Sequence, residues 1–415
     1  MISFFKNKKL LVFIDQGLVS GSNFLLAIYL ARMLSIDAFG IYALLWMIAL
    51  FFLSVQQAAL TTPMYSLEPK YLGESPERVS SLVIIQCQFS FISAAFVACL
   101  LFVLSVLQAK WSVGLLVIPF SFTVLLLLLQ DFMRRVFCLK ERYFVVIIMD
   151  VVAYLGLLGL LYFFSNHDQI NLSDVFTFYS ISFMLSVLFA FFKIGRVKYK
   201  KGEIGVIFRE YWHFSKWLSL ANILQWLASN LFVAVAGYIL GVWVVGVIRV
   251  FQSAMGVFHV VFQALENFVP ISASKIYQKS GLQALLKYIY KCGIWGIIFT
   301  ILSSAIVIIV TPESLISYIY GSQYAVYGYL LYWYLFIYLL IYLGTLSRYI
   351  LRTLEITKTI YKAYMYSVIL SLLCVWPLVE YFKIKGVVIG VVLTQVVMLW
   401  VYLHSINNRI RETIC

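Results

Sequence analysis

Apolar stretches of about twenty residues recur along the entire chain, separated by short polar segments, and nothing else in the sequence constrains the fold as strongly. Twelve can be marked, at about 10–32, 39–62, 81–107, 112–130, 143–164, 174–193, 213–240, 243–268, 288–310, 327–347, 363–381 and 386–404. Wound as a helix at ~1.5 Å per residue, each stretch matches the ~30 Å hydrocarbon thickness of a bilayer. In hydrocarbon a helix satisfies every backbone N–H and C=O within itself, which an open strand or loop cannot do. The expected fold class is therefore an all-α polytopic membrane protein with about 12 transmembrane helices. With 63% hydrophobic and only 12% charged residues, the chain carries more apolar surface than a water-soluble core could hide. The 415 residues are used up by the spans and their loops, which leaves no length for a soluble catalytic domain.

The net charge of +14 acquires a meaning once the cations are sorted by side. With the amino terminus inside, 26 of the 31 basic residues fall on inner loops and helix ends, and five (Arg32, Lys110, Arg249, Lys383, Lys385) fall outside. By the positive-inside rule both termini are cytoplasmic. The charge is scattered over short loops rather than gathered on one folded face, which argues against nucleic acid and for anionic lipid headgroups. Asp15 and Gln16 interrupt the first apolar run, against a cleavable signal peptide. The six cysteines have no CxxC spacing, the four histidines no zinc-ligand spacing, and there is no GxxxxGK[ST] phosphate loop. The expectation is thus no enzyme, no metal and no resident cofactor.

The chain also resembles itself. Displacement by 207 residues brings Lys9 onto Lys216, Leu11 onto Leu218, Asp15 onto Asn222, Ser22 onto Ser229, Asn23 onto Asn230 and Pro63 onto Pro270. Gly40 meets Gly246 one residue out of step. Six spans separate the copies, so the halves share one orientation: two parallel six-helix repeats, an arrangement in which transporters place the substrate path between the halves. The expected division is an N-terminal six-helix lobe at 1–194, a basic cytoplasmic linker at 195–212 and a C-terminal lobe at 213–415.

Polar side chains inside the spans are few enough to name. Asp15, Ser22 and Asn23 are spaced to share a face of the first helix, and Asn222, Ser229 and Asn230 repeat that face in the seventh. Such a stripe either packs helices together or walls a wet cavity. Asp150, ~12 Å into the fifth span, needs a cation, water or a proton. A structural ion pair satisfies that need, and so does coupling to a proton or sodium ion, a role open to Asp15 as well. Arg249, an exception to the inner bias, either contacts an anionic substrate or snorkels to headgroups. Asp131, Arg134 and Arg135 lie at an inner end, where interfacial placement accounts for them. The aromatic run from Tyr329 to Tyr342 is explained by interfacial belts or by stacking on sugar rings.

With these features in hand, the chain resembles the polysaccharide-transporter (O-antigen flippase) branch of the multidrug/oligosaccharidyl-lipid/polysaccharide exporter superfamily. The resemblance is carried by Asp37-Ala38-Phe39-Gly40-Ile41-Tyr42 and its counterpart Gly246-Val247-Ile248, and by Glu266-Asn267-Phe268-Val269-Pro270. Gly321-Ser322-Gln323-Tyr324 and Arg348-Tyr349-Ile350-Leu351-Arg352, echoed by Arg134, complete it. It implies a two-lobe architecture of the multidrug and toxic compound extrusion (MATE) type. It also implies flipping of an undecaprenyl-pyrophosphate-linked oligosaccharide from the inner to the outer leaflet of a bacterial inner membrane. The implied partners are that lipid-linked glycan, membrane lipids, a polysaccharide polymerase and a chain-length regulator. A cation-coupled drug exporter of the same architecture is the first alternative, and a polytopic polymerase or glycosyltransferase the second.

Overall fold

The structure is a computed structural model of the 415-residue chain and describes residues 8–68, 76–107, 113–165, 170–195 and 202–414. Of the basic residues counted above, Lys6, Lys70, Lys110, Arg196, Lys198, Lys200 and Lys201 lie outside the described residues. All regular structure among the described residues is helical. The segments are α1 (Lys8–Met33), α2 (Ile36–Leu67), α3 (Pro76–Leu107), α4 (Val113–Leu139), α5 (Tyr143–Phe164), α6 (Leu172–Ile194) and α7 (Glu203–Leu240). Helix α8 comprises Val242–Ala254 and its continuation over 256–280, and α9 is 282–310. A short helix Pro312–Tyr320 precedes α10 (Leu330–Thr353), and α11 (357–382) and α12 (384–414) close the chain. Among the described residues nine segments are long and apolar enough to cross a membrane. One of them, Lys358–Arg411, holds two helices broken at Lys383, and α1 and α8 bring the tally to the twelve expected from the sequence.

The breaks have local causes. Gly241 (φ 104°) and Gly281 (φ 75°) take left-handed backbone at the α7–α8 and α8–α9 turns, where a side chain would be strained. Two other helices change pitch in mid-course, with π-helical turns at Gln57–Thr61 in α2 and Val151–Leu155 in α5. Each begins immediately after a buried polar residue, Gln56 and Asp150 respectively.

Contacts divide the chain into two compact units, Met1–Leu34 with Leu45–Ile223, and Ser35–Leu44 with Leu224–Cys415. Sequence patterning puts a linker at 195–212. Residues 203–212 of it are the first turns of α7, and the units change over inside α7 and α2, because both helices run on without interruption.

In the first unit α4 packs along α3 and α6, and α1 along α5. Phe132, Met133 and Phe137 of α4 pack with Met64 of α2, Leu82 of α3, Met149 of α5 and Tyr211 of α7. The start of α7 is pinned there by charge: Arg78 bonds Glu68 (2.9 Å) and Glu210 (2.7 Å), and the Tyr211 hydroxyl donates to Glu68 (2.9 Å).

In the second unit α10 holds the corresponding position, packed against α9, α11 and α12. The aromatic run resolves by helical spacing: Tyr334, Tyr338 and Tyr342 are buried, while Tyr332, Trp333 and Phe336 are exposed. Tyr334 stacks on Phe251, Tyr338 on Phe262, and Tyr342 donates to the Cys292 carbonyl (2.7 Å). The buried half of the run is thus core, not interfacial belt. Gly40 and Gly246, matched in the sequence repeat, also meet in this unit: a Cβ on Gly246 would lie 2.9 Å from the Ile36 carbonyl oxygen and 3.0 Å from the Gly40 nitrogen. Exposed apolar residues such as Leu107, Phe192 and Ile309 suit a surface that meets lipid rather than water.

Candidate functional site

The most charged interior of the first unit is built by α1, α4 and α5. Gln130 and Arg134 are one turn apart on α4, so both side chains leave the same face. Arg134 Nε donates to Asp150 Oδ2 of α5 (2.6 Å), and its Nη2 donates to Asp15 Oδ2 of α1. Gln130 Nε2 donates to the other oxygen of Asp150 (2.8 Å), so both oxygens of this fully buried carboxylate are satisfied. Asp15 Oδ1 is buried and accepts no hydrogen bond among the described residues. Two carboxylates around one guanidinium leave one negative charge when both are ionised, and that surplus is a place for a proton or a cation.

A second layer runs beside the first. Asp131 accepts from Arg135 (2.8 Å) and from Gln56 (3.2 Å), and the Gln86 amide nitrogen, with two hydrogens to share, lies within hydrogen-bond reach of Gln56 (2.9 Å), Ser90 (2.7 Å) and the Leu128 carbonyl (3.2 Å). Gln56, Gln86 and Gln130 are buried, and together with Asp131 and Asp150 they draw a polar seam through four helices. Both π-helical turns border this seam. Such turns, rare elsewhere, recur at functional sites.

The sequence singled out Asp15 and Asp150, and the structure brings them together on Arg134. That arginine, read from the sequence as interfacial, is their shared cation. Its position on the chain gives no hint of this, because Asp15 lies 119 residues away.

The polar stripe of α1 divides. Asp15 and Ser22 turn inward and are buried, whereas Asn23 is exposed. Seven residues bring a helix back to within ~20° of its starting face, but eight overshoot by ~80°. The counterpart on α7 forms no cluster. Asn222 donates to the Ser54 carbonyl (2.8 Å), while Ser229 and Asn230 bond back to Gln225 and Trp226 of their own helix (both 2.9 Å). Arg249 of the second unit is half-buried and donates to Gln252 (3.3 Å), without a carboxylate beside it among the described residues. No group of three His, Cys, Asp or Glu that could hold a metal occurs among the described residues.

No family profile and no curated protein matches this sequence. Solved structures do match, over nearly the whole chain. An inward-facing conformation of a multidrug resistance MATE family transporter of the MOP superfamily has a TM-score of 0.74 at 13% identity, covering 96% of this chain and 95% of that one. An outward-facing conformation of such a transporter scores 0.59 at 14% identity, with 98% and 96% covered. A MOP superfamily transporter from Pyrococcus furiosus scores 0.59 at 13% identity, with 97% and 96% covered. This chain therefore has the all-α fold of MATE-type transporters of the MOP superfamily.

Proposed function

We propose that this protein is an alternating-access transporter that flips an undecaprenyl-pyrophosphate-linked oligosaccharide across a bacterial inner membrane, with both termini cytoplasmic. The observation that carries the reading is the outer face of α1. Gln16 and Asn23 are exposed, Ser20 is half-exposed, and Gly17 and Gly21 between them have open space beside them. Gln16 donates to Ser20 along this face (3.1 Å), and exposed amides and hydroxyls on a spanning helix suit a hydrated track better than hydrocarbon. A lipid-linked sugar suits the track, because its tail stays in the bilayer while only the polar head exchanges hydrogen bonds with the protein. Arg249 is a contact for its pyrophosphate. Asp15 and Asp150 are the coupling site, taking up a proton or a sodium ion in place of the charge that Arg134 leaves unbalanced.

The test is a deletion strain scored for surface polysaccharide and for lipid-linked repeat units. Units trapped in the inner leaflet and restored by the wild-type gene are expected; normal surface polysaccharide would overturn the reading. A cation-coupled drug exporter is the second reading, favoured by the resemblance of the fold to multidrug transporters. It requires the same strain to become drug-sensitive, which the first reading does not.

A further inference from the structure

Helix α7 is longer than a membrane requires. Its 38 residues extend ~57 Å, whereas ~20 residues cross the ~30 Å of hydrocarbon. Counted back from Leu240, about twenty residues reach Ala221, so the segment 203–220 projects beyond the hydrocarbon at the end that the positive-inside rule assigns to the cytoplasm. The packed stripe of that segment is narrow. Ile207, Tyr211 and Ser215, each one turn after the last, are buried, and Ile207 and Tyr211 belong to the core of the first unit.

The remaining surface combines cations with large aromatic rings. Arg209, His213 and Lys216 are exposed and fall within ~60° of one another around the helix, opposite the buried stripe. Trp212 and Trp217, 58% and 70% exposed, flank them by ~40° on either side, and Phe208, 60% exposed, widens the Trp212 side. The acids of the segment are held by α3: Glu203 accepts from Ser81 (2.8 Å) and Glu210 from Arg78 (2.7 Å). The inner end of α6 has the same chemistry. There the Lys193 ammonium lies over the rings of Phe189 (5.5 Å) and exposed Phe192 (5.7 Å), and Ala190 shares the buried cluster of Ile207 and Tyr211.

Rings this exposed are unfavourable in water, and cations are unfavourable in hydrocarbon. The headgroup layer accommodates both, since indoles settle at its apolar boundary while basic groups reach anionic phosphates. We propose that this face of α7, continued by the end of α6, is a docking surface for anionic phospholipids of the inner leaflet. The Arg209 guanidinium offers a planar fork of donors to a headgroup phosphate, and Lys216 a second positive charge on the same face. The basic residues of the whole chain draw it towards an anionic leaflet; this surface holds headgroups at a fixed place, whatever the protein transports.

The test titrates the purified full-length protein in detergent with phosphatidylglycerol, with phosphatidylcholine as the neutral comparison, and counts retained lipids by native mass spectrometry. Wild type should retain phosphatidylglycerol preferentially. The double variant Arg209→Gln, Lys216→Gln should bind it at least ~10-fold more weakly, as loss of two interfacial cations implies, and Trp212→Ser with Trp217→Ser should also weaken it. Arg209→Lys should stay within ~3-fold of wild type, because it keeps the charge. Lys275→Gln with Lys279→Gln removes two exposed inner cations from a stretch flanked by Ser274, Gln278 and Ser280, and should change binding less than ~2-fold.

Thermal melting identifies any variant that fails to fold. Unchanged phosphatidylglycerol binding in Arg209→Gln, Lys216→Gln, with melting as in wild type, would overturn the proposal. An equal loss in the Lys275, Lys279 pair would do the same, because total charge rather than this face would then retain the lipid. So would farnesyl pyrophosphate displacing phosphatidylglycerol at lower concentration than phosphatidylglycerol itself binds, which would make the face a contact for a prenyl pyrophosphate.

Discussion

Asp150 illustrates how much a single residue can reveal before its surroundings are known. An ionisable carboxylate deep in an apolar span demands compensation, so the sequence is enough to nominate it, but the compensating group depends on which helices become neighbours. Arg134 is that group, and it is shared with Asp15. Replacing Arg134 with Leu strands two buried carboxylates and should cost about 3–5 kcal/mol, read as a lowered melting temperature in detergent. Adding Asp15→Asn and Asp150→Asn to that variant should recover most of the loss, because the charges then disappear together. Asp150→Asn alone keeps a hydrogen-bonding side chain beside Gln130. In the proposed mechanism it should abolish the dependence of flux on an imposed proton or sodium gradient, measured in proteoliposomes; flux that still follows the gradient would sink the coupling role.

Among the elements, legibility follows the length of the apolar signal. All twelve helices could be marked from hydropathy, since each is long enough for the bilayer to dictate its conformation. What hydropathy cannot show is a change of pitch: neither π-helical turn alters the apolar count of its helix. The turn strain at Glu355 is likewise invisible to it. Glu355→Gly, which removes the Cβ from a left-handed residue, should stabilise the protein by about 1 kcal/mol in thermal melts. Gly40 is the opposite case. A Cβ there would collide with the Val242 carbonyl, so Gly40→Val should lower the yield of folded protein sharply, whereas the same change at exposed Gly205, which has open space beside it, should not.

For the molecule as a whole, the transport proposed above makes the membrane potential a driving force. An anionic lipid-linked cargo moving outward gains about 2.3 kcal/mol per charge for complete transfer across 100 mV, inside negative. In proteoliposomes carrying a potassium diffusion potential of that sign, flipping should accelerate over the depolarised control, and Asp150→Asn should retain this acceleration even after losing its response to the cation gradient. Equal rates with and without the potential would argue against a charged cargo.

By itself the sequence determined that the chain is a set of about twelve apolar helices, and which few polar side chains lie within them. These follow from the cost of placing backbone and charge in hydrocarbon, which is paid residue by residue and so is written along the chain. Only the tertiary structure decided which of those side chains meet. It seated Asp15 and Asp150 on one arginine, turned Asn23 outward from the Asp15 face, buried half of the aromatic run and paired Arg348 with Tyr364. Partnership across helices is set by packing between segments distant in the chain, and no local pattern of residues encodes it.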